Sequence, residues 1–456
     1  MTRPSGKRAA PQQATLGAFF SSKRGRTDGP EKPAGDGIQW RSIRGTWIGT
    51  WGTPTAAPKL AAFDLDGTLI CVKSKARFPK GADDWRFFCP AVPEVLRRMH
   101  QQGYRVVILS NQNGLRAAKG TSELSARARD FRTKVASIAR AVDIPLTVVV
   151  ATEKDYMRKP GPGMWHMVLQ LNEDVAVDTA SSFFVGDAAG RPAGWKPGVA
   201  ADFSDSDLAF ALNVGVPFYT PEEAFAAEVC ALPEPLPLPA PELREITRVP
   251  AAQRRGDPAA HAGLLEAIGR HVDEAKQAAC GVLAILVGPP ACGKSTFARA
   301  QLAPLGFERV NMDELKTRKK CTDAVAHALD RRACVVVDNT NPDAAARQPF
   351  VALARAAGAR CIAVVFAHEP RDLALHNNCF RAQLAQARYL SDARANHPGL
   401  DGLPACGDRV PDVAYHSYFK RLQLPAAAEG FDAVLDHAFI PVFDSDTDEQ
   451  VWNQHF

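Results

Sequence analysis

No stretch of this 456-residue chain is apolar over anything close to the roughly 20 residues that a bilayer-spanning helix needs, which argues against a membrane protein of that type. The N-terminus, with Lys7, Arg8, Pro11 and Gln12, lacks the apolar segment of a secretory signal. Ten cysteines are scattered without CxxC pairing or regular spacing. That excludes the disulfide scaffold of a short secreted chain and favours a reducing interior such as cytosol or nucleus. A broad excess of one charge is missing too. The net charge is +5, and residues 1–40 hold seven Lys/Arg against three Asp/Glu, so +4 of it lies there and the rest of the chain is nearly neutral. This argues against a broad basic surface built on many phosphate contacts and leaves room for small basic clusters around a strand end.

What is present is strand–helix alternation. Residues 1–40, rich in Gly, Ser, Pro, Lys and Arg without periodicity, are expected to form a disordered tail. From Leu60 the pattern predicts strands at Leu60–Phe63, Arg105–Leu109, Leu146–Ala151 and Ser182–Val185. Helices are predicted at Val92–Gln102, Glu123–Val142 and Gly163–Leu171. Continuous apolar strands alternating with helices imply a parallel sheet covered on both faces, with ligands bound beyond the C-terminal strand ends. Alternating prolines Pro233, Pro235, Pro237, Pro239 and Pro241 predict a semi-rigid spacer, so residues 229–275 are expected to be a proline-rich linker. A second unit begins with a strand at Val282–Val287, and further strands are predicted at Arg309–Val310, Ala333–Val337 and Arg360–Phe366. The expected fold is α/β, with two doubly wound parallel-sheet domains at residues 41–228 and 276–445, and a short tail at 446–456.

Asp64 and Asp66 follow the first strand at spacing i, i+2, so their side chains leave the same face, and Gly67-Thr68 permits a tight turn. Such a pair suits two-step phosphoryl transfer: one carboxylate attacks phosphorus, the other protonates the leaving alkoxide and then activates water. Mg²⁺ would offset the charge of carboxylate meeting phosphate. Taken alone, the motif is also compatible with a solvated turn. In order along the chain, these residues resemble the haloacid dehalogenase phosphatase superfamily. The resemblance makes Asp64 the nucleophile and Asp66 the general acid/base, with its main-chain carbonyl on the metal. It makes Ser110 the phosphoryl-binding hydroxyl, Lys159 the charge-neutralising lysine, and Asp187 a metal ligand alongside Asp64.

Gly288-Pro289-Pro290-Ala291-Cys292-Gly293-Lys294-Ser295, set between a strand and a helix, fits the Walker A pattern. Backbone N–H groups of the loop and the helix N-terminus, with Gly288, Gly293, Lys294, Ser295 and Thr296 as binding residues, are expected to cradle ATP, with Lys294 on the β/γ-phosphates and Ser295 on Mg²⁺. The motif does not define the phosphate acceptor. Asp313 is the preferred base for an attacking hydroxyl. Asp338, closing an apolar strand, has the form of a Walker B acid. Arg381, on an expected helix, is placed to stabilise transition-state charge.

The stretches AFDLDGTLI, DDWRFF, SNQNG, RKPGPGMW, FVGDAAGRPAGW, DFSDSD, GKSTF, VVVDNTNPD and HNNCFR together resemble the eukaryotic polynucleotide 5′-kinase/3′-phosphatase family over nearly all of residues 60–443. The resemblance implies removal of 3′-phosphates and ATP-dependent phosphorylation of 5′-hydroxyls on DNA ends, which restores ligatable termini in strand-break repair. The chain departs from the family pattern at Met312 and Cys379, each standing where the family has arginine. Residues 1–59 are too short for the forkhead-associated domain of the animal enzymes.

In the tail, Gln13, Leu16, Phe19 and Phe20 fit the sliding-clamp-binding pattern. One helical turn there would seat the three apolar side chains in a pocket. The clusters Lys7-Arg8 and Lys23-Arg24-Gly25-Arg26 read as a nuclear address, as organelle targeting or as solvating charge. Expected partners are DNA ends, the clamp and other repair proteins, with the chain a monomer. Two other readings stay open: a kinase/phosphatase acting on RNA ends or small metabolites, and a non-catalytic scaffold.

Overall fold

The computed structural model describes residues 37–74, 76–115, 124–173, 175–225, 258–366, 371–391, 400–441 and 443–456. Residues 1–36 of the expected disordered tail, with the clamp-binding pattern, and the alternating prolines lie outside these residues, whereas Gln39 and Trp40, read as the end of that tail, open the first strand. In chain order the first unit contributes β1 (Gln39–Ile43), β2 (Thr46–Trp51), β3 (Leu60–Phe63), β4 (Ile70–Val72), β5 (Trp85–Phe87), β6 (Arg105–Asn111), β7 (Leu146–Ala151), β8 (Phe183–Val185) and β9 (Phe218–Tyr219). Seven of these form one sheet in the order β1-β2-β7-β6-β3-β8-β9. The five strands from β7 to β9 run parallel. Successive residues of β3 face opposite layers, as the pleat requires. Ala61 and Phe63 pack beneath the helices Val92–Gln101 and Ala126–Val142. Leu60 and Ala62 pack against the helix Gly163–Gln170 through Met164, Trp165 and Val168.

The first sheet is not wholly parallel. β1 and β2 form an antiparallel hairpin, and β2 pairs antiparallel with β7. The hairpin turns at Arg44 (φ 48°) and Gly45 (φ 81°). Two successive left-handed residues give a turn whose twist matches the strands it joins. A second small hairpin, β4–β5, follows the Asp66 loop.

The second unit carries β10 (Val282–Val287), β11 (Phe307–Val310), β12 (Cys334–Val337), β13 (Arg360–Val365) and β14 (Ala433–Asp436). Their order is β11-β12-β10-β13-β14, and every pairing is parallel. β10 is buried along its whole length and alternates between two apolar layers, Leu283, Ile285 and Val287 in one and Val282, Ala284 and Leu286 in the other.

Two segments differ from expectation. The stretch 229–275, read as a proline-rich linker, includes most of the helix Pro258–Gln277. Its Ile268, Val272 and Ala275 recur at helical spacing and pack against β10. The stretch 446–456, read as a tail, begins with the helix Asp446–Trp452, N-capped by the Ser445 hydroxyl. Trp452 is buried there and its indole N–H donates to Asn377 Oδ1 at 2.9 Å. The helix Arg371–Ser391 spans both units. Its Leu373 packs on Trp452, whereas Ala387 and Leu390 join the apolar layer under Leu60 and Trp165. The segment after the helix Asp446–Trp452 is tied in as well: His455 N–H donates to Asn213 Oδ1 at 2.8 Å, and Asn213 Nδ2 donates to His455 O at 2.9 Å. No helix among the described residues is long and apolar enough to cross a membrane.

Candidate active sites

β3 and β8 are neighbours from which the chain departs in opposite directions, so a crevice opens beyond their C-terminal ends. Asp64 ends β3, its N–H donating to Val185 O at 2.8 Å, and Asp187 stands two residues beyond β8. Asp207, in the first turn of the helix Ser206–Val214, completes a trio whose carboxylate oxygens lie within 4.8 Å of one another. Lys159 is 3 % exposed and reaches Asp64 Oδ1 at 2.6 Å and Asp207 Oδ1 at 2.7 Å. Its backbone is fixed by Asn111, which accepts from Lys159 N–H and donates to Lys159 O, each at 2.9 Å.

Charge dominates this pocket. Three carboxylates against one ammonium leave a formal surplus of two negative charges when all are ionised. Burial pushes the Asp64 carboxyl well above the usual carboxylate range, with Lys159 opposing and Asp207 and Asp187 adding to the rise. Burial, followed by the Asp207 charge, pushes Asp187 up to about 6. On Lys159 the two carboxylates outweigh burial and raise its pKa. A surplus of two on hard oxygen donors is the charge and chemistry that a divalent cation complements. The backbone leaves room for little else. A Cβ on Gly67, which sits at φ 93°, would fall 2.3 Å from Asp187 Oδ2, and one on Gly186 would fall 2.5 Å from Asp207.

Asp66 stands outside the trio. Its carboxylate is half-exposed, bound by Lys134 Nζ at 2.9 Å and by Gln112 Nε2 at 2.5 Å. Gln112 also donates to Ser110 Oγ at 3.0 Å, so Asp66 and Ser110 share one amide. Three contributors were not singled out from sequence. Asp207 carried a signal only in the run Asp202-Phe203-Ser204-Asp205-Ser206-Asp207. Lys134 shares the buried stripe of its helix with Phe131 and Ile138, where a lysine is out of place without an acidic partner. Arg191 pairs with Asp202 at 2.8 Å and Glu222 at 3.1 Å, packs over Trp195 at 3.7 Å, and steadies the loop after Asp187.

In the second unit the loop after β10 turns through Ala291 (φ 59°) and Gly293 (φ 94°) into the helix Lys294–Phe297. Lys294 is buried and its Nζ donates to the loop's own carbonyls, Gly288 O at 2.9 Å and Pro289 O at 2.6 Å. Ser295 is half-buried and Thr296 exposed beside it. A Cβ on Gly288 would meet Phe366 at 2.6 Å. Asp338, at the end of β12, is 2 % exposed. Its Oδ2 accepts from Arg309 Nε at 2.7 Å, while its Oδ1 is buried without a partner. Asp313 is exposed, its N–H capped by Asn311 Oδ1 at 2.8 Å. Arg381 is exposed and reaches Asn378 Oδ1 at 3.4 Å. Its buried neighbours His376 and Asn377 anchor Trp452, and Asn378 holds Val410 from both sides.

A buried carboxylate–lysine cluster at one sheet's switch point and a phosphate-cradling loop on a second sheet define a phosphohydrolase joined to a nucleotide-dependent kinase. Residues 59–225 match the family described as polynucleotide kinase 3 phosphatase. The chain is similar to a bifunctional polynucleotide phosphatase/kinase of Schizosaccharomyces pombe, 32% identical over 98% of this chain and 98% of that one. A protein of Acanthamoeba polyphaga mimivirus described in the same terms is 28% identical over 87% of this chain and 88% of its own. The polynucleotide 3′-phosphatase ZDP of Arabidopsis thaliana is 35% identical over 37% of this chain and 24% of its own length. The chain belongs to the bifunctional polynucleotide phosphatase/kinase family.

Proposed function

We propose that this enzyme removes 3′-phosphates at the Asp64 pocket and phosphorylates 5′-hydroxyls with ATP at the Lys294 loop, acting on DNA ends so that they can be ligated. The observation that carries the reading is the convergence of Asp64, Lys159, Asp187 and Asp207 on one pocket, in a chain that also keeps an intact phosphate loop.

At the first site Asp64 attacks phosphorus, and the P–O bond to the strand's 3′ oxygen breaks as the aspartyl-phosphate forms. Asp66, free of the trio and half-exposed, hands a proton to the departing oxygen and later takes one from water. The Ser110 hydroxyl and Lys159 ammonium hold the phosphoryl oxygens. The Asp64, Asp187 and Asp207 carboxylates fit Mg²⁺, which would supply charge neutralisation when bound. Lys159 keeps Asp64 and Asp207 in place before any cation arrives.

At the second site nucleotide phosphates replace the Gly288 and Pro289 carbonyls as partners of Lys294. Ser295 and the unpartnered Asp338 Oδ1 are the oxygen donors that fit the nucleotide's Mg²⁺. Asp313 accepts the proton of the 5′-hydroxyl, and Arg381 closes on the transferring phosphate. Phe203, 93% exposed between the Arg191-bound Asp202 and Asp207, offers a ring on which a terminal base can stack, and this favours a polynucleotide over a small metabolite.

The tail residues Gln13, Leu16, Phe19 and Phe20 are assigned to a sliding clamp, and the basic clusters beside them to nuclear delivery of a monomer. The deciding experiment is a nicked duplex bearing a 3′-phosphate and a 5′-hydroxyl, incubated with enzyme, ATP and Mg²⁺ and then with ligase. Sealing is the expected result, and a nick that stays open after both end groups are assayed unchanged overturns the proposal. Loss of clamp binding on deleting residues 1–22 is the expected result for the tail.

A further inference from the structure

Lys159 and Arg381 belong to different units and different chemistries, yet a single helix connects their surroundings. Gln386 lies on the helix Arg371–Ser391, five residues beyond Arg381, and is 1 % exposed. Its Oε1 accepts from Tyr156 N–H at 3.2 Å, and its Nε2 donates to Pro404 O at 3.2 Å. The buried Asp155 carboxyl lies next to Tyr156; burial raises its pKa, and the Met157 N–H and then the Gln386 side chain oppose that rise. Asp155 and Tyr156 open the loop that ends in Lys159.

That loop is tightly wound, so a displacement at Tyr156 travels along it. Asp155 Oδ1 accepts from Met157 N–H at 3.1 Å, Asp155 O from Arg158 N–H at 3.1 Å, and Arg158 O from Gly161 N–H at 2.8 Å. Tyr156 O accepts from Gly163 N–H at 3.1 Å, and a Cβ on Gly161 or Gly163 would lie within 2.6 Å of that oxygen. Lys159 is therefore held from two directions: by Asn111 of its own sheet, and through Tyr156 by an amide of the kinase unit.

We propose that Gln386 is a positioning residue for the phosphatase, a kinase-unit side chain that sets the loop carrying Lys159 and so makes the helix Arg371–Ser391 a shared part of both active sites. This rests on the reading of the Asp64 pocket as the phosphatase. A positioning role affects how the lysine meets the nucleophile and the transferring phosphoryl group, so it appears in turnover and not in capture of the strand.

The test uses the full-length chain with a single-stranded 3′-phosphorylated oligonucleotide and, separately, a 5′-hydroxyl oligonucleotide with ATP. Gln386→Leu is expected to lower 3′-phosphatase kcat about five- to twentyfold with KM within about twofold, while 5′-phosphorylation persists as evidence of an intact helix. Gln386→Glu keeps the acceptor for Tyr156 but sets a carboxylate against Asp155. Its defect should be relieved by Asp155→Asn, whose amide can donate to the new acid. Phosphatase kcat within twofold of the parent for Gln386→Leu overturns the inference. So does a parallel fall of both activities, or no relief in the double variant. If the parent itself releases no 3′-phosphate, or Asp64→Asn releases it normally, the failure belongs to the phosphatase reading instead.

Discussion

The two active sites of this chain sit on the same kind of sheet but are prepared to different degrees. At the first, Lys159 already bridges two carboxylates, and the carboxylate oxygens of the trio lie within 4.8 Å of one another. At the second, Lys294 is turned onto its own loop, Asp338 is engaged by Arg309, and Asp313 and Arg381 stand exposed on separate helices. The difference follows from the chemistry. A covalent nucleophile must be aimed before substrate arrives, because its geometry is the catalyst. A kinase has two substrates, and closure of its cationic groups only when both are present keeps water from taking the phosphate.

The comparison breaks at once if the sites are not independent in their chemistry. Asp64→Ala should lower 3′-phosphate release by about a thousandfold or more while 5′-phosphorylation continues, and Lys294→Ala should do the reverse, both measured on one end-labelled nicked duplex. Preorganisation itself is tested by Lys159→Met and Asp207→Asn, each expected to cost the phosphatase roughly a hundredfold in kcat. Breaking a buried ion pair leaves its partner uncompensated, so the Lys159 variant should also unfold more readily, by about 3–5 kcal/mol before any relief from a bound cation. For the open site, Arg381→Ala should lower kinase kcat about ten- to a hundredfold without altering ATP binding to the cation-free loop, as read by nucleotide fluorescence.

pH sharpens the contrast. Asp187 is pushed up to about 6, so the folded, cation-free protein holds a proton there that the unfolded chain releases near pH 4. Its contribution to stability is therefore lost as pH rises from about 4 to about 6. Mg²⁺ should restore that stability above pH 6 and bind progressively less well below it. Denaturant titrations at pH 5 and 7, with and without Mg²⁺, check the sign; an Mg²⁺ effect larger at pH 5 than at pH 7 contradicts it. The smallest effect is expected at Phe203, where Phe203→Ala should raise the oligonucleotide KM about fivefold and Phe203→Trp should restore it.

How much was legible in sequence depended on burial and on reach. Leu60–Phe63, Leu146–Ala151 and Val282–Val287 were readable to the residue because strands covered on both faces are almost continuously apolar. The β1–β2 hairpin escaped because Arg44-Gly45 lacks the Asn or Asp that marks such a turn, and because its core residues Thr46 to Gly49 do not alternate with polar ones. The helix Pro258–Gln277 was absorbed into a linker, since nearby prolines outweighed the spacing of Ile268, Val272 and Ala275. The candidates at or just past strand ends, Asp64, Ser110 and Asp187, are ones a strand-by-strand reading of the sequence can propose. Asp207 is not among them, because it enters from a helix twenty positions past Asp187, and only the folded chain brings Lys159 against it.

Gly67 and Gly186 carry no charge and no side chain, and the carboxylates of Asp187 and Asp207 occupy the space that any side chain there would need. Even alanine at either position would evict an acid from the pocket. A survey of relatives that tallied only aspartates and lysines would therefore score such a variant as competent when its hydrolytic half had been silenced by a single methyl group.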